Sequence, residues 1–183
     1  MPRTDCVRAG ISSIAIRHDP SGARSRLDWK WLRGGATSLA DLGNPGQSGG
    51  TGYALCLYDE VDGVAELIIS ARVPAGEQCA GRPCWQTSSR GAKYRYLGGN
   101  ADSISDLKVQ SGDIGRTAIK LRAAGPRLAL APVAATQLLH QAPGLVIQLV
   151  NDLQPPGRCW SSRFAAPNTR HDATQFKDKE RAE

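Results

Sequence analysis

Apolar and polar positions alternate along much of this chain with a period of two, the pattern of half-buried β-strands. In residues 11–18, Ile14 and Ile16 share one face. In residues 25–32, Leu27, Trp29 and Trp31 alternate with Asp28 and Lys30. Residues 53–58 are nearly all apolar, as expected for a central strand covered on both faces. Residues 64–73 form the second arm of a hairpin, with the connection at 59–63 and Asp62-Gly63 supplying positive φ. Short strands are expected at 84–87, 92–96, 107–109 and 117–121. A continuous apolar run at 145–150 reads as a buried strand, and 158–164 as the last good one.

Turn chemistry punctuates these segments. Asp19-Pro20-Ser21-Gly22, a glycine-rich loop over 39–52 and Ser111-Gly112-Asp113-Ile114-Gly115 separate them. Residues 134–141 fit either a helix or an extended loop. The expected fold is all-β: an antiparallel two-sheet sandwich of Ig-like or jelly-roll type, with eight to ten short strands. Residues 1–10 read as an unstructured leader, 11–166 as a single domain, and 167–183 as a tail docked in part through Phe176 and frayed beyond it.

Composition supports this reading. The 20 glycines and 11 prolines suit many turns, and only 40% of the 183 residues are apolar. The net charge is +6, and the basic residues are scattered, with no run of five. Such a surface implies weak, salt-sensitive polyanion contact at most and no specific nucleic-acid partner. No 18-residue apolar stretch exists, so no membrane span is expected.

Five cysteines leave one over after pairing. Cys79 and Cys84 enclose Gly81 and Pro83, a loop able to bring two sulfurs together. Cys56 and Cys159 lie in two expected core strands and are read as a long-range bridge, with Cys6 unpaired. Zinc is the rival for Cys79 and Cys84, but His18, His140 and His171 are isolated. Disulfides imply an oxidising compartment, extracellular, cell-surface or periplasmic. Residues 1–10 carry no apolar signal-peptide core. The chain is therefore read as a module or fragment of a longer exported protein, or as one with a wrongly assigned start.

Candidate chemistry is sparse. The four tryptophans read as core packing. Tyr94 and Tyr96 share a face and are the candidate exposed pair for stacking on a sugar ring. Asp59, Glu60 and Asp62 make an acidic turn whose spacing does not match a calcium loop. The glycine clusters at 48–52 and 112–115 precede no helix and no Lys-Ser/Thr, so no phosphate cradle follows. No G-x-S-x-G elbow occurs. Neither metal nor cofactor is expected.

The succession Trp29-Lys30-Trp31, 53–59, Cys79 to Trp85, Lys93-Tyr94-Arg95-Tyr96, 105–108, 148–151, Cys159-Trp160 and Gln175-Phe176-Lys177 resembles a disulfide-containing module found toward the end of large exported proteins of environmental bacteria. The similarity spans roughly residues 11–179. It implies export, disulfides and a modular context, and carries over no functional residues. The expected function is a non-catalytic structural or interaction module. The alternatives are a carbohydrate-binding module using exposed aromatics and a hydrolase with an unrecognised site.

Overall fold

The computed structural model describes residues 1–19, 21–126, 128, 143–153 and 157–181. The chain is all-β. In order it runs β1 (Val7–Arg8), β2 (Ile11–Arg17), β3 (Arg26–Gly34), α1 (Leu39–Leu42), β4 (Tyr53–Val61), β5 (Val64–Val73), β6 (Gln78–Cys79), β7 (Arg82–Pro83) and β8 (Trp85–Ser88). It continues with β9 (Gly91–Arg95), β10 (Ile104–Gln110), β11 (Thr117–Ala124), β12 (Pro143–Asn151), β13 (Cys159–Phe164), β14 (Arg170–His171) and β15 (Gln175–Arg181). The expected helix-or-loop segment at 134–141 lies outside the described residues.

Two sheets pack face to face. The larger has eight strands in the order β14-β15-β2-β3-β11-β10-β9-β8, and the smaller has five in the order β1-β13-β12-β4-β5. Pairing is antiparallel except between β1 and β13. The inward residues of both sheets form one apolar core, including Ile14, Leu27, Trp29, Leu107 and Phe176 from the larger sheet and Leu55, Leu57, Leu145, Ile147 and Phe164 from the smaller. The β4–β5 hairpin closes on Asp62-Gly63, both at positive φ (51° and 79°), as a two-residue turn of that twist requires.

The four tryptophans hold the sheets in register. The Trp29 indole N–H donates to Ser162 Oγ at 3.1 Å, and that of Trp31 to the Ser161 carbonyl at 3.2 Å. Trp160 donates to Thr37 Oγ1 at 3.1 Å and Trp85 to the Pro74 carbonyl at 2.8 Å. Each ring buries a large apolar area and leaves no orphaned donor. Gly34 is required here by close approach: a Cβ on it would sit 1.8 Å from the Trp31 ring.

Three expectations are corrected. First, residues 1–10 are not an unstructured leader. Val7 and Arg8 pair with Trp160 and Ser161, and the Arg3 backbone exchanges two hydrogen bonds with the buried Gln148 amide, at 3.0 and 2.7 Å. This segment covers the outer face of β12, which is why Val146 and Gln148 on that face are buried as well.

Second, the long-range disulfide joins Cys6 to Cys159, and Cys56 is the free thiol. Cys56 lies opposite Gln148, whereas Cys159 lies opposite Val150, on the other side of β12. A whole strand separates them, roughly twice the 4.7–4.9 Å strand spacing and beyond the reach of a disulfide. The β1–β13 register sets Cys6 directly beside Cys159. The second bridge is Cys79–Cys84.

Third, the tail is sheet, not a frayed end. β15 pairs with β2 from Gln175 to Arg181, and Phe176 is fully buried. The alternation Phe176, Asp178 inward and Lys177, Lys179 outward is the signature of a strand.

Candidate polyanion-binding face

The outer face of the large sheet is built by parity. In β3, β9, β10 and β11 the apolar residues point into the core, so the intervening charged residues point to solvent. Pairing then sets those outward residues side by side across the strands.

One row is made of lysines. Lys93 lies opposite Lys108, Lys108 opposite Lys120, and Lys120 opposite Lys30. The row continues through Ser13 to Lys179. All five ammonium-bearing side chains are exposed. No ion pair holds Lys30, Lys93, Lys108 or Lys120 among the described residues. Four neighbouring strands thus present four like charges about 4.8 Å apart at the backbone. Like charges directly opposite each other destabilise a sheet, by a few tenths of a kcal/mol to about 1 per pair.

The next row, two residues along each strand, is arranged differently. Arg95, Asp106, Arg122 and Asp28 lie side by side with alternating sign. Arg122 Nε reaches Asp28 Oδ1 at 3.0 Å, and Arg95 Nε reaches Asp106 Oδ1 at 3.7 Å. Arg26 also clamps Asp28. Burial pushes the Asp28 carboxyl up, but the hydrogen bonds from Arg26 and Arg122 outweigh it and hold it below the usual carboxylate range.

A trough of about 240 Å³ runs between the two rows, its walls the charged side chains and its floor Tyr94, Leu107, Leu121 and Trp29. A second hollow of about 370 Å³, lined by Gln86, Arg90 and Gln110 among others, flanks Lys93 and Lys108 on the other side. The lysines that read as scattered along the sequence therefore stand together on one face. Lys177, Arg181, Arg17 and Arg26 extend it toward β15 and β2.

The expected stacking pair is not there. Tyr94 is fully buried, its ring 5.2 Å from that of Trp85, and its hydroxyl donates to Glu77 Oε2 at 2.5 Å. Tyr96 is half-buried against the same core. The two do share a face, as the spacing indicated, but it is the inner face. The charged neighbours Lys93 and Arg95, outward at the intervening positions, were the signal for that orientation.

The acidic hairpin also disperses. Asp59 is buried, Asp62 sits in the turn, and Glu60 is paired with Arg163, whose Nη1 donates to Oε1 at 3.1 Å and whose Nη2 lies 2.7 Å from Oε2. No group of three or more potential metal ligands converges among the described residues.

Sequence reading missed one further cleft of about 370 Å³, between the N-terminal segment, β13 and β15, which brings Glu60 and Glu180 together with Arg3, Arg8, Arg163 and Arg181. Glu60 pairs with Arg163, although its buried Oε2 accepts no hydrogen bond, and Glu180 Oε1 accepts from the Ala165 N–H at 3.2 Å. The histidines do not join it. His18 Nδ1 is buried without a hydrogen-bond partner, and His171 packs edge-on against Phe176; neither lines this cleft. The Cys56 thiol is half-buried, and burial pushes its pKa up, which disfavours the reactive thiolate.

No family model, curated protein or solved structure matches the chain. Two disulfides fit an oxidising environment, and no helix among the described residues is long and apolar enough to cross a membrane.

Proposed function

We propose that this chain is a non-catalytic interaction module of an exported protein, and that it binds linear polyanions across the outer face of its eight-stranded sheet. The observation that carries the reading is the contrast between two adjacent rows. One is neutralised pair by pair, while the other keeps four lysines abreast with no ion-pair partner among the described residues. Nothing in the packing requires the second arrangement, and it costs stability. An anionic partner supplies the missing charge. The two disulfides support export.

Retention on dextran sulfate in rising salt tests this. If all four lysines engage a densely charged single chain, log K falls with log salt at a slope of about −3. That is roughly a 50-fold loss between 50 and 200 mM. Replacing Lys30, Lys93, Lys108 and Lys120 together by Gln is expected to abolish retention with the fold intact by circular dichroism. Unchanged retention of that variant would sink the proposal.

A further inference from the structure

We infer that the ligand is a linear acidic polysaccharide of the polyuronate class, lying in the trough transverse to the strands, with alternate carboxylates toward the lysine row and hydroxyls toward the ion-paired row. This rests on the polyanion reading above and adds the class of polymer and its orientation.

Three features of the trough select the ligand. The first is width. The two rows are two residues apart along each strand, about 6.8 Å at the backbone, which accommodates one extended chain in single file. A nucleic-acid duplex can touch only the rim. The second is pitch. The lysines repeat every strand, about 4.8 Å. An extended polyuronate advances by close to that length per pyranose and turns alternate sugars over, so every second carboxylate comes into step with an ammonium of the row, about 9.6 Å apart. An extended acidic peptide places same-face carboxylates about 6.8 Å apart and falls out of step with the row.

The third feature is the asymmetry of the walls. One wall, of Lys93, Lys108, Lys120 and Lys30, offers only donors. The other alternates carboxylate with guanidinium, through Asp106, Arg122 and Asp28, and so offers acceptors and donors in turn. A row of hydroxyls, each able to donate and accept, matches that second wall. A phosphate backbone does not, because it carries no donors to give to Asp106 and Asp28. Single-stranded nucleic acid also needs aromatic platforms for its bases. Among the described residues the exposed large apolar side chains are Met1, Leu39, Val64, Leu67, Leu97 and Ile114, none of them aromatic.

The two carboxylates on the second wall give the experiment its sign. Asp106→Asn removes a negative charge from the face and loses only the 3.7 Å pair with Arg95. If binding is charge attraction alone, every polyanion must bind the variant more tightly. If Asp106 accepts a sugar hydroxyl, the uronate must bind less tightly while the others gain. Titration calorimetry at fixed salt would compare an octagalacturonate, its methyl ester, an octaglutamate and an eight-residue oligo-dT on the wild type, Asp106→Asn and Lys108→Gln.

The expected result is preference of the wild type for octagalacturonate, with no binding of the ester. Asp106→Asn should then weaken octagalacturonate about fivefold and tighten the other two anions, and Lys108→Gln should weaken all three about fivefold. Tighter binding of all three anions to Asp106→Asn would overturn the polyuronate assignment and leave the polyanion face standing. Preference for octaglutamate or oligo-dT would overturn it likewise. Indifference of every anion to Lys108→Gln would overturn both.

Discussion

Removing the Cys6–Cys159 bridge should be the most destabilising small change on the surface of this protein. The substitution is Cys6→Ala: Cys6 is half-buried whereas Cys159 is buried, so truncation at Cys6 leaves no core cavity. The bridge spans a sequence separation of 153. On the chain-entropy model, closing a loop of that length stabilises by about 5 kcal/mol, through the unfolded state. A domain of this kind has about 5–15 kcal/mol in total, so a third or more is at stake. The same segment is also held by the Arg3–Gln148 hydrogen bonds and the β1–β13 pairing, which the variant keeps.

Urea unfolding followed by tryptophan fluorescence reads the change. With a slope of about 2–3 kcal/mol/M, the midpoint should fall by about 2 M. The Cys79–Cys84 loop has a separation of only 5 and accounts for about 2 kcal/mol on the same model. Reductant should therefore lower the wild-type midpoint far more than that of Cys6→Ala. Cys56→Ala, at a half-buried free thiol, should cost under about 1 kcal/mol. A Cys56→Ala loss as large as that of Cys6→Ala, or none in Cys6→Ala, would show that the bridge is not where the β1–β13 register sets it.

The lysine row should reveal itself as a stability cost: Lys108→Gln with Lys120→Gln is expected to raise stability by several tenths of a kcal/mol at low salt, with the gain vanishing near 1 M salt. Phe176→Ala should cost about 3–5 kcal/mol in denaturant titration, because β15 is a core strand; a loss below 1 would mean the tail only rests on the surface. Alkali should destabilise the fold through Tyr53 and Tyr94. Burial first, with the bond to Glu77 adding at Tyr94, raises both above the ordinary tyrosine value near 10. Their stabilisation is complete below that unfolded-state value. Above it the unfolded chain loses protons that the folded one keeps, so stability falls by about 1.4 kcal/mol per pH unit for each. Tyr94→Phe should remove one such increment from the slope between pH 10 and 11, and an unchanged slope would contradict the buried, neutral Tyr94.

Much of the fold was legible because strand parity is local. The alternation of Leu27, Trp29 and Trp31 with Asp28 and Lys30 required no knowledge of the rest of the chain, and neither did the Asp62-Gly63 turn or the closeness of Cys79 and Cys84. The outward position of each lysine in its own strand could be read the same way. Which strands are neighbours could not. Period-two patterning leaves strand order undetermined, because a β-strand satisfies its backbone against any partner of matching register. Strand order decided that β12 separates Cys56 from Cys159 and that β1 delivers Cys6. It also decided that Lys30, from near one end of the chain, stands abreast of Lys93, Lys108 and Lys120, so that scattered lysines become a row. Charge acts through space, and only the tertiary structure sets the distances in which it acts.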